Sequence, residues 1–224
     1  MKKTIILLGL ISFVVVLSPS NARAQDTAVP TTNRWRQVVG PCQFQIANMF
    51  GGYFDVPHEH NDSVPQVGIY YLPEVGPKAP HVLYGGFSLD CWSSQDTDVY
   101  AALGAKPANG QWMRYSPSLY GPQLTPFEKG AHPQTVILKG KNWTGIGLTI
   151  DETRGDEEKR ARMFSFCLIH KAQALCGSTP VVWLADPKHN DLWMMKSILQ
   201  SAVFSDPTIP VSPSASPATS TSTK

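Results

Sequence analysis

The chain has 224 residues, with 19 basic against 17 acidic, four cysteines, 17 glycines and 19 prolines. A formal net charge of +2 is far from the concentrated basic character with which proteins meet nucleic acid or an anionic membrane surface, so neither is expected as the main partner. The length suits one domain with enough apolar content to build a core.

The chain opens with Lys2 and Lys3, then the apolar run Ile5 to Leu17, then Ala22-Arg23-Ala24 before Gln25. These are the three zones of a secretory signal, so residues 1–24 are expected to be cleaved and the remainder exported to the periplasm or beyond. A helix over that short run rises only ~20 Å, less than the ~30 Å hydrocarbon core, which argues against a membrane anchor. Cleavage removes Lys2, Lys3 and Arg23 from the 19 basic residues, leaving 16 against 17 acidic. No later segment is long and apolar enough to span a bilayer, so no integral membrane segment is expected after cleavage. Residues 25–33 read as a polar lead-in, 34–205 as a single globular domain, and 206–224 as a Pro/Ser/Thr-rich tail with too little apolar surface to offset its ordering entropy.

Within the domain, alternation and Pro/Gly punctuation predict strands over 35–39, 43–50, 67–72, 81–91, 111–115, 135–139, 143–150, 162–169 and 175–184. Gly140-Lys141 is expected to form a tight hairpin turn, setting Lys139 beside Asn142 and Leu138 beside Trp143. Met163 to Ile169 is apolar on both alternating faces and so is expected to be central and covered twice. A short helix is predicted over 97–103. The clearest helix follows Asn190 or Asp191, with Leu192, Met195, Ile198, Leu199, Ala202 and Val203 at helical spacing. The predicted class is α+β, a mostly antiparallel sheet with a C-terminal helix packed on one face.

Cys42, Cys91, Cys167 and Cys176 are an even number in an exported chain, which points to disulfides. Metal ligation is the competing account, but none stands in a Cys-x-x-Cys pair. If Lys171-Ala172 forms a turn, His170 faces Gln173 and Cys167 falls opposite Cys176 at a closely spaced, non-hydrogen-bonded position that a disulfide can bridge. By elimination Cys42 then pairs with Cys91.

Chemistry-bearing motifs are sparse. His58-Glu59-His60-Asn61-Asp62 places two histidines on one face of an extended segment, too few for a metal site, and flanking prolines suit a solvated loop. It is not the His-Glu-x-x-His zinc motif. Ser88 lacks the glycine that a nucleophile elbow requires after its serine. No catalytic residue, metal or cofactor is therefore expected. The mixed-charge segment Asp151 to Arg162 reads as a loop between strands, with Asp156, Glu157 and Glu158 available as an electrostatic contact. Trp112, beside Asn109-Gly110, is the tryptophan expected to be exposed, as an interface anchor or a sugar platform. Asn61-Asp62-Ser63 and Asn142-Trp143-Thr144 match the glycosylation sequon by spacing alone.

The opening Pro41-Cys42-Gln43-Phe44-Gln45-Ile46 and the closing Ile198-Leu199-Gln200-Ser201-Ala202-Val203-Phe204 resemble the first core strand and last helix of PsbP-like exported domains. Some immunity proteins to type VI secretion effectors are similar. The resemblance implies a small sheet with helices packed on it and a role in partner binding, with no catalytic residues to carry over. The functional expectation is an exported, non-enzymatic protein-binding domain, an immunity or inhibitor protein against a secreted effector. The rival expectation is a periplasmic hydrolase or carbohydrate-binding protein using His58, His60 and Trp112.

Overall fold

The computed structural model describes residues 34–56, 67–72, 86–118 and 120–206. The expected signal segment, the expected lead-in, the cluster from His58 to Asp62 and the tail from residue 207 onward lie outside the described residues.

The described chain forms three sheets. In the first, β1 (Arg34–Val39) and β2 (Cys42–Ala47) make a hairpin, to which β13 (Val203–Phe204) is added on the far side of β2. The second comprises β3 (Tyr53–Asp55), β4 (Val67–Tyr71), β5 (Phe87–Ser93), β9 (Gln134–Lys139), β10 (Thr144–Asp151), β11 (Ala161–His170) and β12 (Gln173–Trp183). Its seven strands run antiparallel in the order β3-β4-β5-β12-β11-β10-β9. The third is the meander of β6 (Ala105–Ala108), β7 (Gln111–Ser116) and β8 (Gln123–Pro126). The helices are α1 (Asp96–Leu103) and α2 (Leu192–Gln200).

This corrects the α+β expectation. Among the described residues strand makes up 53% and helix 13%, so the class is predominantly antiparallel β. Two local competitions account for the difference. The helical spacing of Ala202 and Val203 is overridden because α2 stops at Ser201, whose hydroxyl accepts from the Ala47 N–H at 3.0 Å. Val203 and Phe204 then pair with Gln45 and Phe44. The segment 105–126, weakly patterned in sequence, takes up the third sheet around Asn109-Gly110, whose φ values of 52° and 77° suit a two-residue hairpin turn.

The strand Ala161–His170 is central, between β12 and β10. Phe164, Phe166 and Leu168 point to one face and enter the main core with Phe44, Ile46, Leu175 and the α2 residues Met195, Ile198 and Leu199. Cys167 points to the other, where Val99 and Leu103 of α1 cover it together with Ala174 and Cys176. The period of two in β11 thus feeds two separate apolar layers.

The Gly140-Lys141 expectation also needs correction. Lys139 pairs with Thr144 and Leu138 with Gly145, so the connection holds four residues, closed by Gly140 N–H donating to the Trp143 carbonyl at 3.1 Å. Trp143 is buried and its indole N–H donates to the Ala202 carbonyl at 2.8 Å. The Asn142 amide clamps Phe204 from both sides, Nδ2 donating to its carbonyl at 2.8 Å and Oδ1 accepting from its N–H at 3.1 Å. These three bonds tie the turn to β13, and a two-residue turn would place both side chains elsewhere.

Close approach in the central sheet depends on glycine. Gly177 sits between Phe166 on β11 and Leu89 on β5. A Cβ there would run into the Ser88 carbonyl oxygen and lie 2.8 Å from the Phe166 ring. Gly177→Ala should therefore lower the free energy of urea unfolding by about 2 kcal/mol, seen as an earlier midpoint with an unchanged slope.

Candidate functional site

Both disulfides are formed. Cys167 and Cys176 face each other in the register set by a Lys171-Ala172 turn, with His170 opposite Gln173 and a Cα separation of 4.0 Å. Lys171 takes the left-handed φ of 53° that this short turn demands. Cys42 and Cys91, 49 residues apart, are joined across a Cα distance of 5.6 Å and link the first sheet to the second. Two disulfides fit a protein of an oxidising compartment, extracellular or periplasmic. Among the described residues no helix is long and apolar enough to cross a membrane.

The acidic segment is a short 3-10 turn, Glu157–Lys159, capped by Asp156, whose carboxylate accepts from the Glu158 N–H at 3.2 Å. It is largely neutralised by its own neighbours. Lys159 lies 3.5 Å from Asp156, and Arg160 donates to Glu157 at 2.9 Å. Glu157, Glu158 and Arg160 line a shallow groove of about 460 Å³ with Leu184 and Ala185.

Asp151 and Arg162, read from sequence as the ends of a charged loop, lie instead in the strands, directly paired across β10 and β11. Arg162 donates to both Asp151 oxygens, at 2.6 and 2.9 Å, and His132 Nδ1 lies 3.1 Å from Oδ2. The carboxylate is nearly buried while the His132 side chain is mostly exposed. Burial alone would push the Asp151 carboxyl upward; the hydrogen bonds from Arg162 and His132, with their charges, outweigh it and hold the group below the usual range. Next to this cluster Arg114 donates to Glu128 Oε2 through Nε (3.1 Å) and Nη2 (2.6 Å), and Arg154 reaches Glu128 Oε1 at 3.2 Å. His132 carried no sequence signal, since its partner is 19 residues away.

Trp112 is not the exposed tryptophan. It is half-buried, paired with Pro107, and its indole N–H donates to Thr135 Oγ1 at 2.9 Å. The β6–β7 hairpin turns that side chain toward β9, a placement that the loop-like Asn109-Gly110 neighbours do not disclose. The most exposed tryptophan is Trp193, at 58%. Helical periodicity cannot by itself distinguish an outward Trp from an inward one.

A second shallow groove, of about 470 Å³, runs between two hairpin turns and is lined by Lys139, Lys141, His170 and Lys171. Asp206 partly neutralises it, with Lys171 Nζ at 2.6 Å and His170 Nε2 at 3.3 Å. Those hydrogen bonds, that of Lys171 first, lower the Asp206 carboxyl. The sequon residue Asn142 has its side-chain amide committed to Phe204.

Ser88 lies exposed in β5. Beside it, Asp90 has one carboxylate oxygen buried and without a hydrogen-bond partner among the described residues. Desolvation raises its carboxyl. Among the described residues no group of three or more His, Cys, Asp or Glu is placed to hold a metal ion. The histidines at 58 and 60 lie outside the described residues.

The chain matches no protein-family model, and no curated protein matches it in sequence.

Two variants test the electrostatics. Asp151 contributes stability above the ordinary aspartate range and forfeits it as pH falls through its lowered value. Asp151→Asn should cost about 2 kcal/mol at neutral pH by leaving Arg162 half-paired, and the deficit should shrink in acid. Asp90 has the opposite sign. Its raised group disfavours the charged fold at neutral pH, so Asp90→Asn should add about 1 kcal/mol there, a gain that vanishes below the unfolded aspartate value. Urea melts at neutral and acid pH read both effects.

Proposed function

We propose that this chain is an exported, disulfide-braced binding domain whose ligand is a protein, acting as an immunity or inhibitor protein that neutralises a secreted effector met in the same compartment. The observation that carries this reading is a covalently tied β framework that presents large aromatic side chains to solvent, Trp193 at 58% and Tyr53 at 49% exposure. Exposed tryptophan and tyrosine on a rigid support are the residues that most often anchor protein interfaces. The likeness of 41–46 and 198–204 to PsbP-like domains supports it, as does the N-terminal pattern of a cleavable signal. The hydrolase or sugar-binding alternative draws on His58 and His60, which lie outside the described residues, and on Trp112, which is half-buried with its indole N–H donating to Thr135 Oγ1.

The test is to express the full chain in a bacterium, recover it from the periplasm, and chemically cross-link it before purification. The expected result is an intact mass starting at Gln25 with both disulfides formed, and one protein cross-linked reproducibly and recovered again when the purified partners are mixed. A monomeric preparation that yields no cross-linked protein would overturn the reading.

A further inference from the structure

A sheet edge offers unpaired backbone donors and acceptors to any extended chain that reaches it, and folded proteins blunt such edges with short strands, prolines, bulges or charges. Among the described residues every sheet edge but one is blunted in these ways. β3 and β13 have three and two residues. β6 and β8 contain Pro107 and Pro126, and β1 carries Arg34 and Arg36. β9 has none of these devices along its length: it lacks proline, its register with β10 runs without a bulge, and its one charge, Lys139, stands at the last position. At its centre Ile137 is 74% exposed, the most exposed large aliphatic side chain among the described residues.

Which backbone groups of β9 face outward follows from its register. The Gly140 N–H donates to the Trp143 carbonyl at 3.1 Å, on the turn side of the pair Lys139–Thr144. That bond makes Lys139–Thr144 a non-hydrogen-bonded pair, and alternation makes Ile137–Ile146 and Thr135–Leu148 the same. The N–H and C=O groups of Thr135, Ile137 and Lys139 therefore point away from β10, and none of them has a hydrogen-bond partner among the described residues. Those of Val136 and Leu138 are spent within the β9–β10 ladder. Free donors, free acceptors and the exposed isoleucine thus coincide on one short stretch of chain.

We infer that β9 pairs with β9 of a second copy of this chain, antiparallel about a two-fold axis at Ile137. Self-complementarity selects this occupant. In the register centred on Ile137 that residue meets its own copy, Thr135 meets Lys139 and Val136 meets Leu138, so no like charges face each other. The outward groups of both strands then all fall at hydrogen-bonded pairs. A slide of one residue sets outward groups against inward ones, and a slide of two sets an outward residue against Pro133 or the turn residue Lys141. Two-fold pairing consumes both β9 edges and closes as a dimer, whereas β9 on a neighbour's β3 would leave ends open. A ladder confined to residues 135–139 belongs below the ~1,000 Å² that a lasting interface needs, so the dimer is weak and forms as concentration rises. It goes beyond the inhibitor reading and stands or falls separately from it.

The test uses the full chain recovered from the periplasm. Sedimentation velocity from about 10 µM to about 1 mM should show a monomer passing to a dimer. Over the same range hydrogen exchange at the amides of Thr135, Ile137 and Lys139 should slow at least about fivefold, while Val136 and Leu138, already bonded to β10, keep their rates. Ile137→Lys sets like charges face to face, and Ile137→Pro removes the central outward donor without touching a bond of the β9–β10 ladder. Each should abolish the dimer and its protection. Ile137→Lys, at an exposed position, should shift the melting temperature by no more than about 2 °C, so it carries the test if Ile137→Pro does not fold. A monomer throughout the range, a dimer that Ile137→Lys leaves intact, or a dimer without the alternating protection would overturn the proposal. Protection of the three outward amides in a monomeric chain on adding a different protein would also overturn it, reassigning the edge to that protein.

Discussion

The apolar layer between the first and second sheets, closed covalently by Cys42–Cys91, is the constraint on which the other features depend. The two sheets share no strand ladder, so their relative placement comes from side chains alone. Phe44 and Ile46 from β2 meet Phe164, Phe166 and Leu168 from β11, and α2 fills the remaining width with Met195, Ile198 and Leu199. The bridge closes a loop of 49 residues, and in the chain-entropy model it contributes on the order of 4 kcal/mol by restricting the unfolded chain.

The same layer determines what reaches the surface. With Met194, Met195, Ile198 and Leu199 committed inward, Trp193 and Lys196 have only the outer side of α2 available. The buried Tyr70, stacked on Phe87 at 5.2 Å, is near enough to the end of β2 for its hydroxyl to pin the turn that carries Phe50. The exposed Phe50 ring is thus fixed by atoms belonging to the core. Charged groups follow a different logic. Asp151 and Arg162 neutralise each other at the end of the central strands, and the acidic turn at 156–158 is offset by Lys159 and Arg160, so neither presents much net charge to a partner.

Several features were legible from local pattern. The central, doubly covered strand at Met163 to Ile169 follows from apolar residues on both alternating faces. The Cys167–Cys176 facing pair follows from counting outward from Lys171-Ala172, since an antiparallel register leaves no freedom once the turn is placed. Illegible were features that depend on distant chain. The four-residue connection at 140–143 is fixed by bonds to Ala202 and Phe204, about sixty residues on. The end of α2 is fixed by β2 and not by any stop signal in its own sequence. The α+β expectation failed for the same reason, because helical spacing beyond Ser201 was outweighed by the pairing of Val203 and Phe204 with Gln45 and Phe44, and because residues 105–126 took up a third sheet.

By itself the sequence determined the periodic elements and the pairing of cysteines nine residues apart, because spacing along one hairpin converts directly into facing positions. It also carried the pattern of export. Only the tertiary structure decided which aromatic rings are exposed and which charges are already paired. Exposure belongs to the environment that all packed elements create together: Trp112 turns toward Thr135 although its chain neighbours Asn109-Gly110 are loop-like, while Trp193 faces solvent although its helix neighbours Met194 and Met195 are buried.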